Sequence, residues 1–282
     1  MDSLIKRLKD NNIRSYDFKD LHVDEYVGEG GFSSVYKCFI DGKLYAVKRL
    51  YFEFDDSFEQ FKKDLFKELM LSKIMTSKRF TKVFGFSYDY DEEEFYIIME
   101  YLNNGDFHSY MSKCCFSYQE KLKIFNSLVH AVKSLHDIDY IHCDLKMDNF
   151  SYHMDYQNNK KYMKLFDYNC MVKGKSNSNH MVKGDLITKG YSSPESYTKD
   201  QVCKKSDIYS LGVLFLELLL NHDLWFKNNS CGRCHKNVLN YLKQFSKTNP
   251  DLAKVIGKCL SENVKERYTC DELYKEIKSF IQ

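Results

Sequence analysis

The sequence has few of the residues that build linkers, repeats and membrane spans. Only 2 of its 282 residues are proline and 12 are glycine, which excludes long Pro/Gly-rich linkers and collagen-like repeats. Its longest apolar stretch, residues 211–220 (LGVLFLELLL), is about half the length of a transmembrane helix. The start, MDSLIKRLKDNN, lacks the apolar core of a secretory signal. We therefore expect an intracellular, cytoplasmic protein without membrane insertion.

An excess of one charge is also absent. Lys and Arg number 42 against 40 Asp and Glu, a net charge of +2, which argues against a nucleic-acid-binding surface along the whole chain. The 43% apolar and 29% charged residues are typical of an ordinary globular protein. In the reducing compartment that the missing signal implies, the 10 cysteines are expected to be free thiols.

The residue pattern changes character near Gly105. From Asp24 to about Met99 short strand-like runs dominate, and Asp41-Gly42 between two of them predicts a hairpin. One helix is predicted among the strands, from apolar residues spaced three and four apart, and these are Phe58, Phe61, Leu65 and Leu69. The basic N-terminal arm with Lys6, Arg7 and Lys9 predicts a solvated helix lying on this part of the chain.

After Gly105 the apolar spacing becomes helical. Residues 118–136 place an apolar face on one helix, and residues 208–220 predict a second, very apolar helix. The predicted fold class is therefore α+β. We expect an N-terminal extension over 1–25, a small sheet-rich N-lobe over 26–102 and a larger helical C-lobe over 103–282. Clefts between such lobes are common ligand sites.

A glycine-rich segment, Gly28-Glu-Gly30-Gly31-Phe-Ser33-Ser-Val35, lies between the first two predicted strands. Glycines allow a backbone to approach phosphates closely and to offer its N–H groups. Such a segment is more often only a turn. A Walker loop would end in Gly-Lys-Ser/Thr and a dinucleotide loop would lead into a helix, and neither is seen here.

A lysine and a glutamate provide a second candidate pair. Lys48 follows Ala46-Val47 on an apolar strand, and Glu68 lies beside Leu65 and Leu69 on the predicted helix. A lysine there can serve as a point charge for nucleotide phosphates, oriented by the carboxylate through an ion pair. The alternative for both residues is an ordinary solvated charge.

The strongest signal is the segment His142-Cys143-Asp144-Leu-Lys146-Met-Asp-Asn149, followed by Asp167. Its residue types and order suit a loop that holds an acceptor hydroxyl, a phosphate and a metal ion together. Asp144 would accept the hydroxyl proton and Lys146 would neutralise the γ-phosphate. Asn149 and Asp167 would hold Mg²⁺.

In this order the motifs resemble those of the eukaryotic protein kinases, from about Tyr26 to Phe280. The resemblance implies a two-lobed kinase fold that binds ATP and Mg²⁺ and phosphorylates protein substrates. It also implies serine/threonine specificity, from Lys146 and Thr188, and a pairing of Glu195 with Arg267. The residues that it assigns to nucleotide binding are Gly28, Gly30, Ser33, Val35, Ala46, Lys48, Met99, Glu100 and Leu102; Lys48, Glu68, Asp144 and Lys146 are assigned to catalysis, and Asn149 and Asp167 to the metal.

Several positions depart from the kinase pattern, and the mildest is Tyr168, which replaces the phenylalanine of the Asp-Phe-Gly turn. Cys143 replaces the arginine that usually reads a phosphorylated activation loop, so an active enzyme is expected not to need that phosphate. Asn169 replaces the glycine of the Asp-Phe-Gly turn, and asparagine tolerates a positive φ better than most residues. Ser33 replaces the third loop glycine. None of these changes removes a group that contacts phosphate or metal, which favours a competent enzyme.

A finer resemblance leads to an alternative. The segment over residues 80–107, the Ser193-Pro194-Glu195 segment and residues 208–219 are similar to the mixed-lineage kinase domain-like family of necroptosis, of which poxviruses encode truncated relatives. That similarity implies a viral pseudokinase decoy in the host cytoplasm. It would bind a host receptor-interacting kinase through its kinase-like domain, without a helical-bundle killing domain. Intact Asp144, Asn149 and Asp167 are not expected in that family, so the enzyme is the preferred interpretation.

Overall fold

The structure is a computed structural model that describes residues 1–30, 33–52, 57–155, 160–174, 180–181, 188, 190–220 and 235–282. The chain divides into two compact units, Met1–Gly105 and Asp106–Gln282. Two residues of the glycine-rich segment, Gly31 and Phe32, lie outside the described residues. The first unit is rich in strands and the second in helices, so the predicted α+β class is confirmed.

The first unit is built on an antiparallel sheet. Its strands pair in the order β1-β2-β3-β5-β4, and their bounds are β1 His22–Gly30, β2 Ser33–Ile40, β3 Lys43–Leu50, β4 Val83–Asp89 and β5 Glu94–Met99. The predicted hairpin is confirmed, since Ile40 pairs with Lys43 across the turn. Asp41 and Gly42 form that turn with φ of +50° and +70°, the left-handed conformation that this pair of residues readily adopts.

Two helices pack on this sheet, α1 (Asp2–Asp10) and α2 (Phe58–Ile74). The predicted spacing on α2 is confirmed: Leu65 and Leu69 are buried, and Phe61 packs beside them at the edge of the same core. The remaining buried apolar residues of that core come from α1, from Ile13 shortly after it, and from strands β3, β4 and β5.

The N-terminal 25 residues are part of the first folded unit. Leu4, Ile5 and Leu8 of α1 are buried in the core beside α2. Further along, Ser15 bridges to Phe86 of β4, and the Phe86 N–H donates to the carbonyl of Arg14 at 3.0 Å. The basic arm is thus solvated on one side only, and its apolar side helps to form the core.

The second unit is mainly helical. Its helices are α3 Phe107–Ser112, α4 Tyr118–His136, α5 Pro194–Lys199, α6 Lys204–Leu220, α7 His235–Phe245, α8 Pro250–Cys259 and α9 Cys270–Ser279. Its strands form two-stranded ladders, β6 (Tyr140–Ile141) with β9 (Val172–Lys173), β7 (Phe150–Asp155) with β8 (Lys160–Leu165), and β10 (His180–Met181) with β11 (Gln201–Val202).

Helices α4 and α6 form the centre of this unit. A capping box between Ser117 and Glu120 fixes the start of α4, because the two residues satisfy each other's backbone N–H groups. The Phe125 ring of α4 stacks on Phe215 of α6 with centroids 3.7 Å apart. A Cβ at Gly212 of α6 would lie 2.8 Å from the Cys259 Cβ, so glycine is needed for the close approach of α8. Within the described ranges, no helix is both long and apolar enough to cross a membrane.

Candidate active site

Strand register brings the nucleotide-site candidates of the first unit onto one face of the sheet. Gly28 pairs with Val35, Val35 with Lys48, and Ala46 with Met99. Cross-strand partners and residues two apart share a face, so these five side-chain positions line the same surface. A Cβ added at Gly28 would meet nothing within 4 Å, which leaves room above the glycine backbone.

The predicted ion pair of the first unit is present. Lys48 Nζ lies 3.0 Å from Glu68 Oε1, and the two side chains are 14% and 13% exposed. Lys48 reaches across from β3 to α2, so the ion pair fixes the helix to the sheet face that carries the glycines. This charge-assisted hydrogen bond orients the lysine side chain.

The segment after β5 contains Glu100 and Leu102, which are among the positions predicted to bind the nucleotide. The Glu100 N–H donates to the Lys82 carbonyl at 2.8 Å, and the Leu102 carbonyl accepts from Gly105 N–H at 3.0 Å. The side chains of Met99 and Leu102 are half-buried, and Met99 packs against the core that contains Leu65 and Leu69.

In the second unit the predicted catalytic residues converge on Asp144. Its Oδ2 lies 3.0 Å from Lys146 Nζ, and its Oδ1 accepts the Thr188 N–H at 2.8 Å. Lys146 Nζ also donates to Thr188 Oγ1 at 3.3 Å. The lysine, the threonine and the aspartate therefore form a closed set of contacts around one carboxylate.

Charge keeps the Asp144 carboxylate ionised. Burial alone raises its pKa, but the Lys146 charge and the Thr188 hydrogen bonds outweigh burial, so the pKa lies below its ordinary value. For Lys146 burial alone lowers the pKa, and the nearby charges of Asp144, Asp167 and Asp148 more than reverse this effect. At neutral pH the site thus holds a carboxylate that can accept a hydrogen bond and an ammonium that can face a phosphate.

The two predicted metal ligands belong to the same neighbourhood, Asn149 in contact with Asp144 and Asp167 within electrostatic range of Lys146. Asn149 is buried, and its Nδ2 donates to the Asp144 carbonyl at 2.8 Å, which leaves the amide oxygen for a cation. Asp167 adopts φ +62° and lies near enough to raise the pKa of Lys146. An amide oxygen and a carboxylate are the hard ligands that Mg²⁺ prefers, so these residues suit such an ion.

The turn after β8 differs from the expectation in one respect. The strained residue is Asp167 and not Asn169, which keeps a negative φ. Tyr168 is buried and its hydroxyl donates to the Leu165 carbonyl at 3.1 Å, a bond that phenylalanine could not make. Replacement of the usual glycine by Asn169 therefore costs no left-handed strain at that position.

Asp207 of α6 holds the backbone of residues 142–143, in the loop predicted to be the catalytic loop. Its Oδ2 accepts the His142 N–H at 2.9 Å and its Oδ1 accepts the Cys143 N–H at 3.1 Å. Cys143 has φ +72°, a conformation that costs a non-glycine residue about 1–2 kcal/mol. The buried carboxylate thus stabilises a strained loop, and Asp144 follows directly after the strained residue.

A histidine and a cysteine that sequence reasoning missed complete this network. His136 Nε2 lies 2.8 Å from Asp207 Oδ2, and its Nδ1 lies 3.3 Å from Cys270 Sγ. Because Asp207 accepts, Nε2 carries the proton, and Nδ1 then accepts from the Cys270 thiol. His136 and Asp207 are 71 positions apart in the sequence, and His136 and Cys270 are 134 positions apart. No local sequence pattern predicts contacts over such separations.

His142 has the surroundings of a structural residue. It is 1% exposed, and neither ring nitrogen has a hydrogen-bond partner among the residues that the structure describes. Its backbone N–H is the group that Asp207 binds.

The expected pairing of Glu195 with Arg267 is confirmed. Arg267 donates to both carboxylate oxygens, at 2.7 and 2.8 Å, and its Nε donates to the Ser261 carbonyl at 2.8 Å. Burial alone raises the Glu195 pKa, but Arg267 outweighs it and holds the pKa below its ordinary value. This largely buried, bidentate ion pair links α5 to the chain segment before α9.

Each unit thus gathers its own share of the predicted residues. The first unit collects Gly28, Val35, Ala46, Lys48, Glu68 and Met99 around one sheet face. The second collects Asp144, Lys146 and Asn149 in direct contact, with Asp167 within electrostatic range. Ser33 closes the β1–β2 pairing opposite Gly30.

Comparison with known proteins identifies the family. Residues 21–277 match the protein kinase domain family, so the chain belongs to it. Members of this family generally use ATP and a divalent metal ion and act on proteins.

Curated relatives are serine/threonine and receptor-like kinases. The chain is 29% identical over 237 residues to a probable serine/threonine-protein kinase, roco5, of Dictyostelium discoideum, covering 78% of this chain and 8% of that protein. It is 30% identical over 207 residues to calmodulin-binding receptor-like cytoplasmic kinase 2 of Arabidopsis thaliana, covering 68% of this chain and 48% of that protein. With the probable serine/threonine-protein kinase CST of Arabidopsis thaliana it shares 23% identity, and the alignment covers 94% of this chain and 64% of the relative. The chain therefore spans less than two thirds of the length of these relatives.

Proposed function

We propose that the protein transfers the γ-phosphoryl group of Mg-ATP to serine or threonine hydroxyls of proteins. The observation that carries this proposal is the set of contacts among Asp144, Lys146 and Thr188. It presents an ionised carboxylate for an acceptor hydroxyl and an ammonium for a phosphate. The serine/threonine kinases among the relatives support the choice of acceptor.

In this mechanism the protein positions and neutralises its substrates. Lys48, oriented by Glu68, binds the α- and β-phosphates, and the glycine backbone at Gly28 and Gly30 lies against the triphosphate. Asn149 and Asp167 would hold Mg²⁺, which would supply positive charge to neutralise the phosphate oxygens.

The acceptor side of the reaction belongs to Asp144 and Lys146. Asp144 Oδ2 accepts the hydrogen bond of the acceptor hydroxyl and takes its proton as the phosphoryl group leaves ATP. Lys146 stays protonated through the reaction, because its pKa lies above the ordinary value, and it offsets the charge that develops on the transferred group.

We further propose that activity does not require a phosphorylated activation segment. Cys143, at the position of the usual arginine, packs in an apolar cluster with Ile141 and Val202, bordered by Cys170 and Val172. A phosphate gains no charged partner from such a cluster, and the loop is already held by Asp207.

The test is phosphoryl transfer from γ-³²P-labelled Mg-ATP to a mixed protein substrate, followed by phosphoamino acid analysis. Wild-type protein should yield phosphoserine or phosphothreonine, and Asp144→Asn should yield background label at a temperature at which it is folded by circular dichroism. Label found mainly on tyrosine would refute the serine/threonine assignment.

The second candidate is the decoy role, which rests on the similarity of residues 80–107 to the mixed-lineage kinase domain-like family. Under that role the chain would bind a receptor-interacting kinase, and the binding would survive Asp144→Asn and Lys48→Met. Catalysis-dependent function in cells, lost in both variants, would rule the decoy out.

We place the protein in a reducing compartment, the cytoplasm. This proposal is supported by the eight cysteines in the described part of the chain, which are all free thiols.

A further inference from the structure

Helix α1 lies outside the part of the chain that matches the kinase family, which begins at residue 21. It is nonetheless folded onto the first unit, with Leu4, Ile5 and Leu8 buried and Leu8 fully so. An isolated helix of nine residues is unstable in water, so α1 exists because of this packing. Helix α1 is therefore an additional element of the first unit, and its apolar side is buried in the core of that unit.

Those contacts are with the helix that carries Glu68. The three α1 residues share one apolar cluster with Leu65 and Leu69 of α2, the residues three before and one after Glu68. Leu50, two residues beyond Lys48 on β3, belongs to the same cluster. One continuous core therefore connects α1 to both partners of the 3.0 Å Lys48–Glu68 ion pair.

Two polar contacts join α1 to α2 from outside the core. The Arg7 guanidinium lies over the Phe66 ring, 3.6 Å from its centroid. Lys73 Nζ, near the end of α2, donates to the Asn11 carbonyl just after α1 at 2.7 Å. The α2 residues in these contacts, 65, 66, 69 and 73, lie both before and after Glu68 in the sequence. The contacts therefore fix the rotation of α2 about its axis as well as its distance from the sheet.

We infer that α1 is a positioning element for catalysis: Leu4, Leu8 and Arg7 hold α2 where Glu68 can orient Lys48 toward the nucleotide phosphates. The inference rests on the proposed kinase activity. None of the three residues touches substrate, and each acts through Glu68. If α1 is loosened, Lys48 is still present but its side chain is no longer held in one orientation. A misplacement of a catalytic group by about 1 Å can lower the reaction rate about 100-fold.

The principal variant is Leu8→Ala in the full-length chain. Its matched control is Leu252→Ala, which removes a nearly fully buried leucine from α8 of the second unit. Both variants are brought to a temperature at which each is folded by circular dichroism. We expect Leu8→Ala to lower kcat/KM for ATP about tenfold and Leu252→Ala to leave it within about twofold of wild type.

A double-mutant cycle with Glu68→Gln separates positioning from general destabilisation. If α1 acts through Glu68, Leu8→Ala costs about tenfold with Glu68 present and less than about twofold when Glu68→Gln is already there. Equal losses in both backgrounds would overturn the inference, because a purely structural role predicts additivity.

The exposed Arg7 provides a variant that opens no cavity. Arg7→Gln removes the cation over Phe66, and Lys6→Gln removes a neighbouring exposed charge as the control. Arg7→Gln should lower kcat/KM for ATP by at least twofold more than Lys6→Gln; equal effects would count against the inference.

Hydrogen exchange of the α2 backbone amides measures how firmly α1 packs on α2, and it does not depend on an activity assay. Leu8→Ala should speed exchange over Phe58–Ile74, and Leu252→Ala should not. Absence of transfer by folded wild type would refute the proposed function, while α2 exchange unchanged by Leu8→Ala would refute the positioning role of α1.

Discussion

Asp207→Asn should loosen the catalytic loop, because this carboxylate accepts three hydrogen bonds inside the second unit. Oδ2 accepts from His142 N–H and His136 Nε2, and Oδ1 accepts from Cys143 N–H. Asparagine replaces one of the two oxygens by an NH₂ group. Even in the better orientation, with the oxygen at the Oδ2 position, the Cys143 N–H faces a donor.

The cost follows from these contacts. An unsatisfied buried N–H costs about 1–3 kcal/mol, and each of the two remaining bonds weakens by about 1 kcal/mol when its acceptor loses its charge. The sum is roughly 3–5 kcal/mol of unfolding free energy. Because the freed N–H belongs to the residue with φ +72°, the loop that presents Asp144 relaxes, and turnover should fall by at least about 100-fold.

The assay combines urea unfolding with phosphoryl transfer on the same preparations. The matched control is Asp251→Asn, which alters an exposed aspartate on α8 paired with Lys254 at 3.2 Å and should change the unfolding free energy by less than about 0.5 kcal/mol. The reasoning would be refuted if Asp207→Asn unfolded within that range of wild type and retained its turnover.

Three further outcomes are expected. Lys48→Met should lower transfer at least about 100-fold, measured at a temperature at which the variant is folded by circular dichroism; wild-type turnover would contradict the role of the Lys48–Glu68 pair. Arg267→Met should cost about 3–5 kcal/mol at pH 7 in urea unfolding. The Glu195 pKa is lowered in the folded state, so the contribution of this pair is complete above about pH 4.3 and is lost as the pH falls through the lower folded value. The difference in unfolding free energy between wild type and Arg267→Met should therefore become smaller in acid. A difference that grows as the pH falls would contradict the assigned role of the ion pair. In native protein Cys270, whose pKa burial raises well above the ordinary value, should be alkylated by iodoacetamide far more slowly than the exposed Cys115, as measured by mass spectrometry; equal rates would show that Cys270 is accessible.

Local patterns predicted much of the fold because they act over a few residues. The periodic residues of α2 and α4 specify a helix and its buried face together, and α4 spans the expected residues Tyr118–His136. The Asp41-Gly42 turn was likewise visible, since its conformation depends on two neighbouring residues. The ordered kinase motifs also singled out Lys48 and Glu68, which form an ion pair in the first unit, and Asp144 and Asn149, which are in contact in the second.

Contacts between residues far apart in the sequence could not be predicted. The network of His136, Asp207 and Cys270 joins three separate helices, and each residue alone resembles an ordinary core or helix-end residue. Helix α1 was expected as a solvated helix lying on the first unit, and it does lie there, but its basic residues gave no sign that its apolar side belongs to the core. Its leucines are buried through contacts with residues about 60 positions away along the chain, which a local pattern does not reveal.

The most direct measurement is the initial rate of ³²P transfer from γ-labelled Mg-ATP to a serine/threonine peptide by wild-type protein, with Asp144→Asn alongside. The account predicts a steady wild-type rate, and an Asp144→Asn rate lower by about 100-fold or more with nucleotide binding retained. Equal rates for the two proteins, both folded and both binding Mg-ATP, would contradict it.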